Sequence, residues 1–265
     1  MAGAGAAVSL AGRLLRGIAR KAYSAATLLL FLATLPLQWL FLRFSSIGRP
    51  EFADPADFAG LAALEAGTPL IQRELERVLL HGEALPNYGE LSLESAWLTA
   101  LENWKSFVLF AYGVEVAENC ARCPETARLL RALPGMKSGF FSIMRPGTHL
   151  KPHRGNYTGV LRLHLGLRIP DPVACGIRVG KTTRHWREGE AMVFDDTYEH
   201  EAWNHSTGWR VVLFIDIVRP LPRPLAAINE AVIWLIGRSS VIQRGKVALR
   251  EWNRRMAERW PAPGG

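Results

Sequence analysis

One stretch decides the fold, Val160-Leu-Arg-Leu-His-Leu-Gly-Leu167. Its leucines occupy alternate positions and face one side of an extended chain, whereas Arg162 and His164 face the other side. This period of two predicts a strand that lines an apolar core with one face. Around it, residues 138–219 form short β segments between turns rich in Gly, Pro and Asp, and Val211–Val218 is a further strand. Many short strands in such a span indicate a β-sandwich or a jelly roll with a pocket inside it.

The preceding residues, 51–130, are predicted to be mostly helical. Thr68-Pro69 is a helix start, because proline fits the first turn of a helix, and apolar residues follow at helical spacing. Another helix is predicted to open at Cys123-Pro124. We expect these helices to brace one sheet.

The N-terminal segment favours a membrane. Residues 1–50 contain no Asp or Glu, and Tyr23–Leu42 is a charge-free run of 20 residues, long enough to cross a bilayer as a helix. A cleaved signal peptide and a mitochondrial targeting segment are the alternatives, but the run is longer than a signal core and no small-x-small cleavage pattern follows it. We interpret it as a retained anchor, or as an interfacial segment bent at Pro36 and Gln38.

The C-terminal segment also favours lipid. Leu225–Ile242 is apolar, and six basic residues follow it, with Trp252 and Trp260 among them. An apolar face beside basic residues and tryptophans is typical of an interfacial helix; a helix docked on the domain is the alternative. The net charge of +8 fits either nucleic acid or an anionic membrane surface. We favour the membrane surface and expect no nucleic acid, because the basic residues lie beside apolar stretches.

The expected fold class is mainly β: a double-stranded β-helix of jelly-roll or cupin-like type, with bracing N-terminal helices and membrane-associated helical ends. Four segments are predicted, which are residues 1–50 (anchor or interfacial segment), 51–135 (helical support), 136–222 (jelly-roll core) and 223–265 (amphipathic, basic helical segment).

The three cysteines do not form the pattern of a disulfide or zinc-binding framework. Cys120 and Cys123 make one CxxC, but no second pair completes a zinc site. We interpret them and Cys175 as structural residues in a reducing compartment, with a redox or metal role as the alternative.

The histidines cluster, five of seven lying between positions 149 and 200. His149 and His153 would form a metal pair on a helix, but the neighbouring prolines exclude a helix there. His153 and His200, which come from separate β segments, suit iron(II). In the usual oxygenase site a carboxylate stands two residues after the first histidine, where this chain has Gly155. From spacing alone, core or surface roles for both histidines remain open.

Arg210 strengthens the case for a site. It lies ten residues after His200 and opens a strand that is almost continuously apolar. A guanidinium in such a place is costly unless it pairs with an anion, and a dicarboxylate ligand would accept two charge-assisted hydrogen bonds from it. The alternative is a salt bridge to Asp195, Asp196 or Asp216.

Several motifs in this order resemble the aspartyl/asparaginyl β-hydroxylase family of Fe(II)/2-oxoglutarate dioxygenases. They are Ser142-Ile-Met-Arg-Pro-Gly-Thr-His, His153-Arg-Gly, Leu161-Arg-Leu-His-Leu-Gly-Leu, Gly189-Glu-Ala-Met-Val-Phe-Asp-Asp-Thr-Tyr-Glu-His-Glu-Ala-Trp-Asn and Arg210. The resemblance covers roughly residues 100–222. Members of this family carry a glycine where the iron carboxylate usually stands, which Gly155 matches.

The resemblance implies Fe(II), 2-oxoglutarate and O2 as cofactor and cosubstrates, and it implies roles for eight residues. These are His153 and His200 as iron ligands, Arg210 and Ser142 as the clamp on the distal carboxylate of 2-oxoglutarate, His164 with Arg162 near its C1 carboxylate and the substrate, and Met144 and Trp104 as pocket walls. Asp195 and Asp196 are expected to orient the turn before His200.

The family has two substrate branches, and this chain has features of both. One branch hydroxylates Asp or Asn in peptides, and the other, bacterial and membrane-bound, resembles the lipid A acyl-chain hydroxylases. Tyr198–His205 is closer to the lipid branch and Ser142–His149 to the peptide branch. We expect a lipid acyl chain, with peptides as the alternative and a degenerate ligand-binding module at the membrane as the non-enzyme alternative. The oligomeric state stays open.

The chemistry and the charges point to opposite sides of the membrane. Consumption of 2-oxoglutarate and ferrous iron implies a bacterial inner-membrane protein whose catalytic domain faces the cytoplasm. Four basic residues precede the N-terminal run and two follow it, which would place that domain outside. The sequence leaves this conflict open.

Overall fold

The computed structural model describes residues 35–91, 103–257 and 260. The chain divides into two compact units, Met1–Arg43 and Phe44–Gly265. Residues 35–44 form helix α1. The part of the predicted anchor before residue 35 lies outside the described residues, and the four-segment division of the chain stays a prediction.

Seven further α-helices occur in the described chain: α2 (Leu61–Ala66), α3 (Thr68–Leu79), α4 (Tyr88–Leu91), α5 (Ala117–Arg122), α6 (Pro124–Ala132), α7 (Arg223–Arg238) and α8 (Ser240–Met256). The predicted helix starts at Thr68 and Pro124 are confirmed. In both helices a proline occupies the first turn, where its missing N–H would have no intrahelical partner.

Eleven strands are described: β1 (Phe52–Ala53), β2 (Trp104–Ala111), β3 (Val114–Glu115), β4 (Met136–Met144), β5 (Thr148–His153), β6 (Val160–Arg168), β7 (Cys175–Val179), β8 (Thr182–His185), β9 (Ala191–Phe194), β10 (His200–Asn204) and β11 (Arg210–Val218). They form an antiparallel major sheet in the order β1-β9-β6-β11-β4-β2-β3 and an antiparallel minor sheet in the order β5-β10-β7-β8.

The connections between β4 and β11 define the fold. Successive strands cross from one sheet to the other, except that β7 and β8 pair within the minor sheet. The result is two facing four-stranded layers, β9-β6-β11-β4 and β5-β10-β7-β8, with side chains of both layers between them. The predicted double-stranded β-helix is confirmed.

The alternation in β6 sorts its side chains as predicted. Leu161, Leu163 and Leu165 are fully buried in the core that the major sheet shares with helices α2, α3 and α6. Burial of each leucine contributes roughly 2 kcal/mol. Arg162 and His164 therefore project from the opposite face, into the space between the sheets.

A buried carboxylate fastens two of the bracing helices to each other. Glu74 of α3 accepts hydrogen bonds of 2.9 Å from the backbone N–H groups of Glu125 and Thr126, at the start of α6. It also accepts one of 2.6 Å from the hydroxyl of Thr126. The charge therefore sits at the positive end of the α6 dipole, where it is stabilised.

The cysteines are free and buried. Burial raises the pKa of the Cys120 thiol to about 12, and it also raises that of Cys123. Both thiols are therefore held in the unreactive protonated form, in keeping with a structural role.

No single helix in the described ranges has the length and apolar character needed to cross a bilayer. Arg223–Arg238 and Ile242–Met256 meet that requirement only as a pair, with a bend of 51° between them.

Candidate active site

Two histidines from neighbouring strands meet at the mouth between the sheets. His153 is the last residue of β5 and His200 is the first residue of β10. The two residues are direct cross-strand partners, and their ring centroids are 4.1 Å apart. Cross-strand pairing thus brings together side chains that are 47 positions apart in the sequence.

Both rings are oriented by the backbone. Nδ1 of His153 lies 2.7 Å from the carbonyl of Lys151, and Nδ1 of His200 lies 3.0 Å from that of Tyr198. A proton on each Nδ1 satisfies these carbonyls, so the lone pair of each ring resides on Nε2. Burial and the neighbouring His200 lower the pKa of His153 to about 4, and burial lowers that of His200. Neutral imidazole is the form that binds metal.

The position of the usual third ligand has no room for a side chain. A Cβ atom on Gly155 would lie 2.1 Å from Oδ2 of Asp196. Within the described residues, no group of three or more His, Cys, Asp and Glu side chains is arranged to hold a metal. The donors present are two neutral imidazoles, a set that fits iron(II) with positions left for other ligands.

Asp196 belongs to this site, although the sequence suggested only a turn role for it. Its Oδ2 accepts a hydrogen bond of 2.8 Å from Nε of Arg162, while its Oδ1 has no hydrogen-bond partner in the described chain. Its charge opposes the effect of burial on the pKa of both histidines. Asp196 therefore provides a buried negative charge beside the pair without acting as a third ligand.

Asp195 does orient the turn, as expected. Its Oδ1 accepts hydrogen bonds from the backbone N–H (3.1 Å) and the hydroxyl (2.6 Å) of Thr197. Its Oδ2 pairs with Arg219 at 2.5 Å, and both side chains are completely buried. The loop that leads into His200 is thereby fixed at its start.

Arg210 is a buried cation that lacks an acidic partner among the described residues. It is 1% exposed, and neither its Nε nor its Nη1 has a hydrogen-bond partner there. Two of the acids that could have paired with it, Asp196 and Asp216, bind Arg162 instead, and Asp195 binds Arg219. The salt-bridge alternative is therefore wrong. Burial lowers the pKa of Arg210, which is the electrostatic sign of a cation without an anion.

One predicted pocket residue contacts this guanidinium, and two others lie near that residue in the strands. Met144, the cross-strand partner of Arg210, contacts its Nη2 through Sδ. Ser142 lies two residues away on the same strand, and its Oγ accepts a hydrogen bond of 2.9 Å from the indole N–H of Trp104. The hydroxyl proton of Ser142 is therefore not used in this hydrogen bond and is available to another acceptor.

Trp186 is a further member of the pocket that the sequence did not reveal. The Cζ atom of Arg210 lies 4.4 Å from its ring centroid, within cation–π distance. Trp186 is 1% exposed, and its indole N–H has no hydrogen-bond partner in the described part of the chain. It follows the short strand β8, where no alternation pointed to the interior.

His164 connects the two ends of the pocket. Neither of its ring nitrogens has a hydrogen-bond partner among the described residues, and its ring centroid lies 5.9 Å from that of Trp186. On its other side, Phe194 lies 4.9 Å from His164 and 6.0 Å from His200. A row of unsatisfied polar atoms thus runs from the histidine pair to Arg210. This arrangement suits a metal-chelating ligand with an anionic tail.

The sequence profile described as Aspartyl/Asparaginyl beta-hydroxylase matches residues 65–220. The chain belongs to the aspartyl/asparaginyl β-hydroxylase family. The matched residues include the histidine pair, Arg210 and the pocket around them. As a family member, the chain is grouped with hydroxylases by its sequence.

Individual members of the β-hydroxylase family differ in how much of the chain they match. The ornithine lipid ester-linked acyl 2-hydroxylase of Rhizobium tropici is 41% identical over 215 residues, which are 81% of this chain and 76% of that protein. The aspartyl/asparaginyl beta-hydroxylase of Homo sapiens is 38% identical over 123 residues, 44% of this chain and only 16% of that protein. Aspartate beta-hydroxylase domain-containing protein 2 of Rattus norvegicus is 32% identical over 164 residues, covering 57% of this chain and 47% of that protein.

Proposed function

We propose that this protein is an Fe(II)- and 2-oxoglutarate-dependent hydroxylase that acts on an acyl chain of a membrane lipid. The observation that carries the proposal is Arg210, an unpaired buried cation in the same interior as two backbone-oriented histidines. A dicarboxylate that chelates a metal and extends to Arg210 would satisfy both ends of the pocket.

Each pocket residue has a role in this proposal. His153 and His200 hold the iron, and Arg210 and Ser142 bind the distal carboxylate of 2-oxoglutarate. His164 and Arg162 lie near the C1 carboxylate and the substrate, and Met144 and Trp104 form walls. When bound, iron(II) with 2-oxoglutarate and O2 supplies the oxidising power that converts C–H into C–OH, with succinate and carbon dioxide as the other products.

The charges of the pocket favour a ligand that carries a carboxylate at the Arg210 end. Arg162 lies between Asp196 and Asp216 and pairs with both, so its positive charge is already balanced. Arg210 is left as the unbalanced cation of the pocket, and a carboxylate tail is therefore drawn to that end. Because the site is buried, this attraction is stronger than it would be in water.

The proposed substrate class is supported by a relative that matches 81% of this chain. The Rhizobium tropici protein is described as acting on the ester-linked acyl chain of ornithine lipid, at position 2. We therefore place an ornithine-type lipid ahead of the lipid A chain favoured by the sequence alone. Peptidyl aspartate or asparagine is the second candidate, supported by the 38% identity to the human enzyme over 123 residues. The proposed location is a bacterial inner membrane, with the catalytic domain facing the cytoplasm.

A reconstituted assay tests the proposal. The purified chain is supplied with Fe(II), 2-oxoglutarate and detergent-dispersed ornithine lipid, and both succinate and lipid mass are measured. We expect one succinate per added oxygen atom, located on the ester-linked chain by tandem mass spectrometry. Hydroxylation of an aspartyl peptide but of no lipid would move the chain to the peptide branch. Absence of succinate with every substrate would leave a ligand-binding module.

A further inference from the structure

Helix α7 exposes large apolar side chains along one face. Ile228, Trp234 and Leu235 are 44%, 56% and 53% exposed. Ile228 and Leu235 are seven residues, roughly two helical turns, apart and share one stripe with Ala231, and Trp234 lies at its edge. Other exposed large hydrophobic residues of this unit, such as Leu80 and Val173, are isolated. A contiguous apolar stripe, unlike a single exposed residue, indicates an interaction surface.

The opposite face of α7 fixes this orientation. Asn229 is completely buried, where its side-chain N–H donates to the carbonyl of Gly159 at 2.8 Å and its Oδ1 accepts from the hydroxyl of Tyr157 at 2.5 Å. One turn beyond Ile233, Gly237 packs so closely that a Cβ atom there would lie 2.5 Å from the carbonyl oxygen of Tyr112. Rotation of α7 to bury its apolar stripe would break these contacts. These contacts therefore hold the apolar stripe on the exposed side of α7.

Helices α7 and α8 carry more positive than negative charges. Residues 223–256 contain seven basic and two acidic residues. Both acids are already paired, Glu230 with Lys137 and Glu251 with Arg254. Arg238 stacks on Trp234, with its Cζ atom 3.4 Å from the ring centroid. An apolar stripe flanked by unbalanced basic charge, with a tryptophan–arginine pair at its edge, complements an anionic bilayer interface.

A cavity of about 770 Å³ opens beside the same stripe. Trp234 and Arg238 of α7 form part of its wall together with Lys246, and the lining also contains Glu115 and the ion pair between Lys137 and Glu230. A cavity of this size accommodates a small polar headgroup. A lipid lifted from the bilayer at α7 would thus meet, next to it, a recess lined by polar and charged side chains.

We infer that the outer face of α7 is a docking surface for an anionic phospholipid bilayer, which presents lipid substrate to this domain. The inference rests on the proposed lipid hydroxylase function, because it names the surface through which that substrate would be reached. It predicts that Leu235 lies at the lipid boundary when the protein is bound to a membrane, whatever the N-terminal segment contributes.

A fluorescent probe tests the surface directly. A single cysteine is introduced as L235C and, for the control, as L80C, and each is labelled with an environment-sensitive dye. The three native cysteines are buried and are not expected to react. With vesicles of phosphatidylglycerol and phosphatidylcholine, the dye at 235 should shift to the blue and be quenched by nitroxide lipids, while the dye at 80 should not change. An unchanged probe at 235, or equal changes at both positions, would overturn the inference.

Two further measurements distinguish an anionic membrane from other partners of this surface. Vesicles of phosphatidylcholine alone should give a much smaller shift at 235, and an equal shift would refute the role of anionic lipid. A shift that grows with protein concentration in the absence of vesicles would assign the surface to a second copy of the chain. That outcome would overturn the membrane inference.

An activity comparison distinguishes the surface from the function. The variant I228Q/L235Q should hydroxylate lipid in vesicles at least about tenfold more slowly than the wild type, while its rate on detergent-dispersed lipid stays the same. The variant L80Q/V173Q serves as the control for exposed apolar residues and should match the wild type in both. If the vesicle activity of I228Q/L235Q is unchanged, the docking surface is wrong. If no form of the protein acts on dispersed lipid, the proposed function fails, and the probe experiment still decides the surface.

Discussion

A Cβ atom on Gly155 would lie 2.1 Å from Oδ2 of Asp196, and the backbone N–H of Gly155 donates to the carbonyl of Asp196 at 2.7 Å. The carboxylate of Asp196 thus occupies the space that a side chain at position 155 would need. Position 155 therefore lacks a metal ligand for the same reason that position 196 carries a buried charge: the carboxylate fills the shared space. In place of a metal ligand at position 155, the site has a buried acid, Asp196, which accepts a hydrogen bond from Arg162.

Substitution of Gly155 should therefore damage the site instead of completing it. G155A is expected to destabilise the fold by about 1–3 kcal/mol through overpacking and to weaken iron binding, as measured by thermal unfolding and metal titration. The double variant G155A/D196A should recover much of the stability, because it removes the opposing carboxylate. Tighter iron binding by G155D than by the wild type would contradict this account.

The histidine pair should account for metal binding. H153A and H200A are each expected to abolish stoichiometric binding of Fe(II), or of Mn(II) under air, in calorimetric titrations. H149A is the matched control, because His149 lies on the same strand β5 but is exposed and contacts Glu201. Wild-type metal affinity in either H153A or H200A would rule out the assigned ligands.

Replacement of Arg210 should weaken ligand binding but stabilise the ligand-free protein. R210M is expected to weaken 2-oxoglutarate binding about 100-fold, because charge-assisted hydrogen bonds contribute roughly 1.5–3 kcal/mol each. The affinity for iron should change little. The ligand-free variant should unfold at a higher temperature than the wild type, because a buried unpaired charge has been replaced by an apolar chain. The exposed Arg187 provides the control R187M. A lower unfolding temperature for R210M would indicate a structural role.

Trp186 should contribute one hydrogen bond to the cosubstrate. W186F keeps an aromatic ring over Arg210 but removes the indole N–H, so the Kd for 2-oxoglutarate is expected to rise about tenfold, as for a loss of roughly 1–1.5 kcal/mol. W203F changes a tryptophan on the minor sheet, away from Arg210, and should have no such effect. Equal Kd values for W186F and the wild type would mean that the indole N–H does not face the ligand.

The cysteines should be inert in the folded protein. Because burial raises the pKa of Cys120 to about 12 and raises that of Cys123 as well, their thiolate fraction at pH 8 is very small. Ellman's reagent at pH 8 should therefore detect almost no thiol in the native protein and three thiols in guanidinium chloride. Rapid reaction of two native thiols would instead reopen a redox role for the CxxC.

The sequence predicted those parts of the site that local periodicity and motif spacing can specify. Alternation in β6 sorted Leu161 from Arg162 and His164, because a strand can expose only one set of side chains to the core. The apolar strand around Arg210 showed that its charge needed a partner. Both inferences required only neighbouring residues.

The remaining features depend on contacts between distant residues. Trp186 follows a short exposed strand, and only the packing of the two sheets brings it over Arg210. Asp196 differs from Asp195 because Arg162, 34 residues earlier, reaches it. The outward apolar stripe of α7 depends on Asn229, whose partner Gly159 is 70 residues away.

The fully buried pair between Asp195 and Arg219 has a consequence for sequence evolution. Arg219 also donates from Nε to the carbonyl of Thr158, so loss of either partner would strand a charge in the interior. Such a loss is strongly destabilising, whereas simultaneous replacement of both partners by apolar residues is often tolerated. Positions 195 and 219 should therefore covary among relatives, either retaining both charges or losing both together.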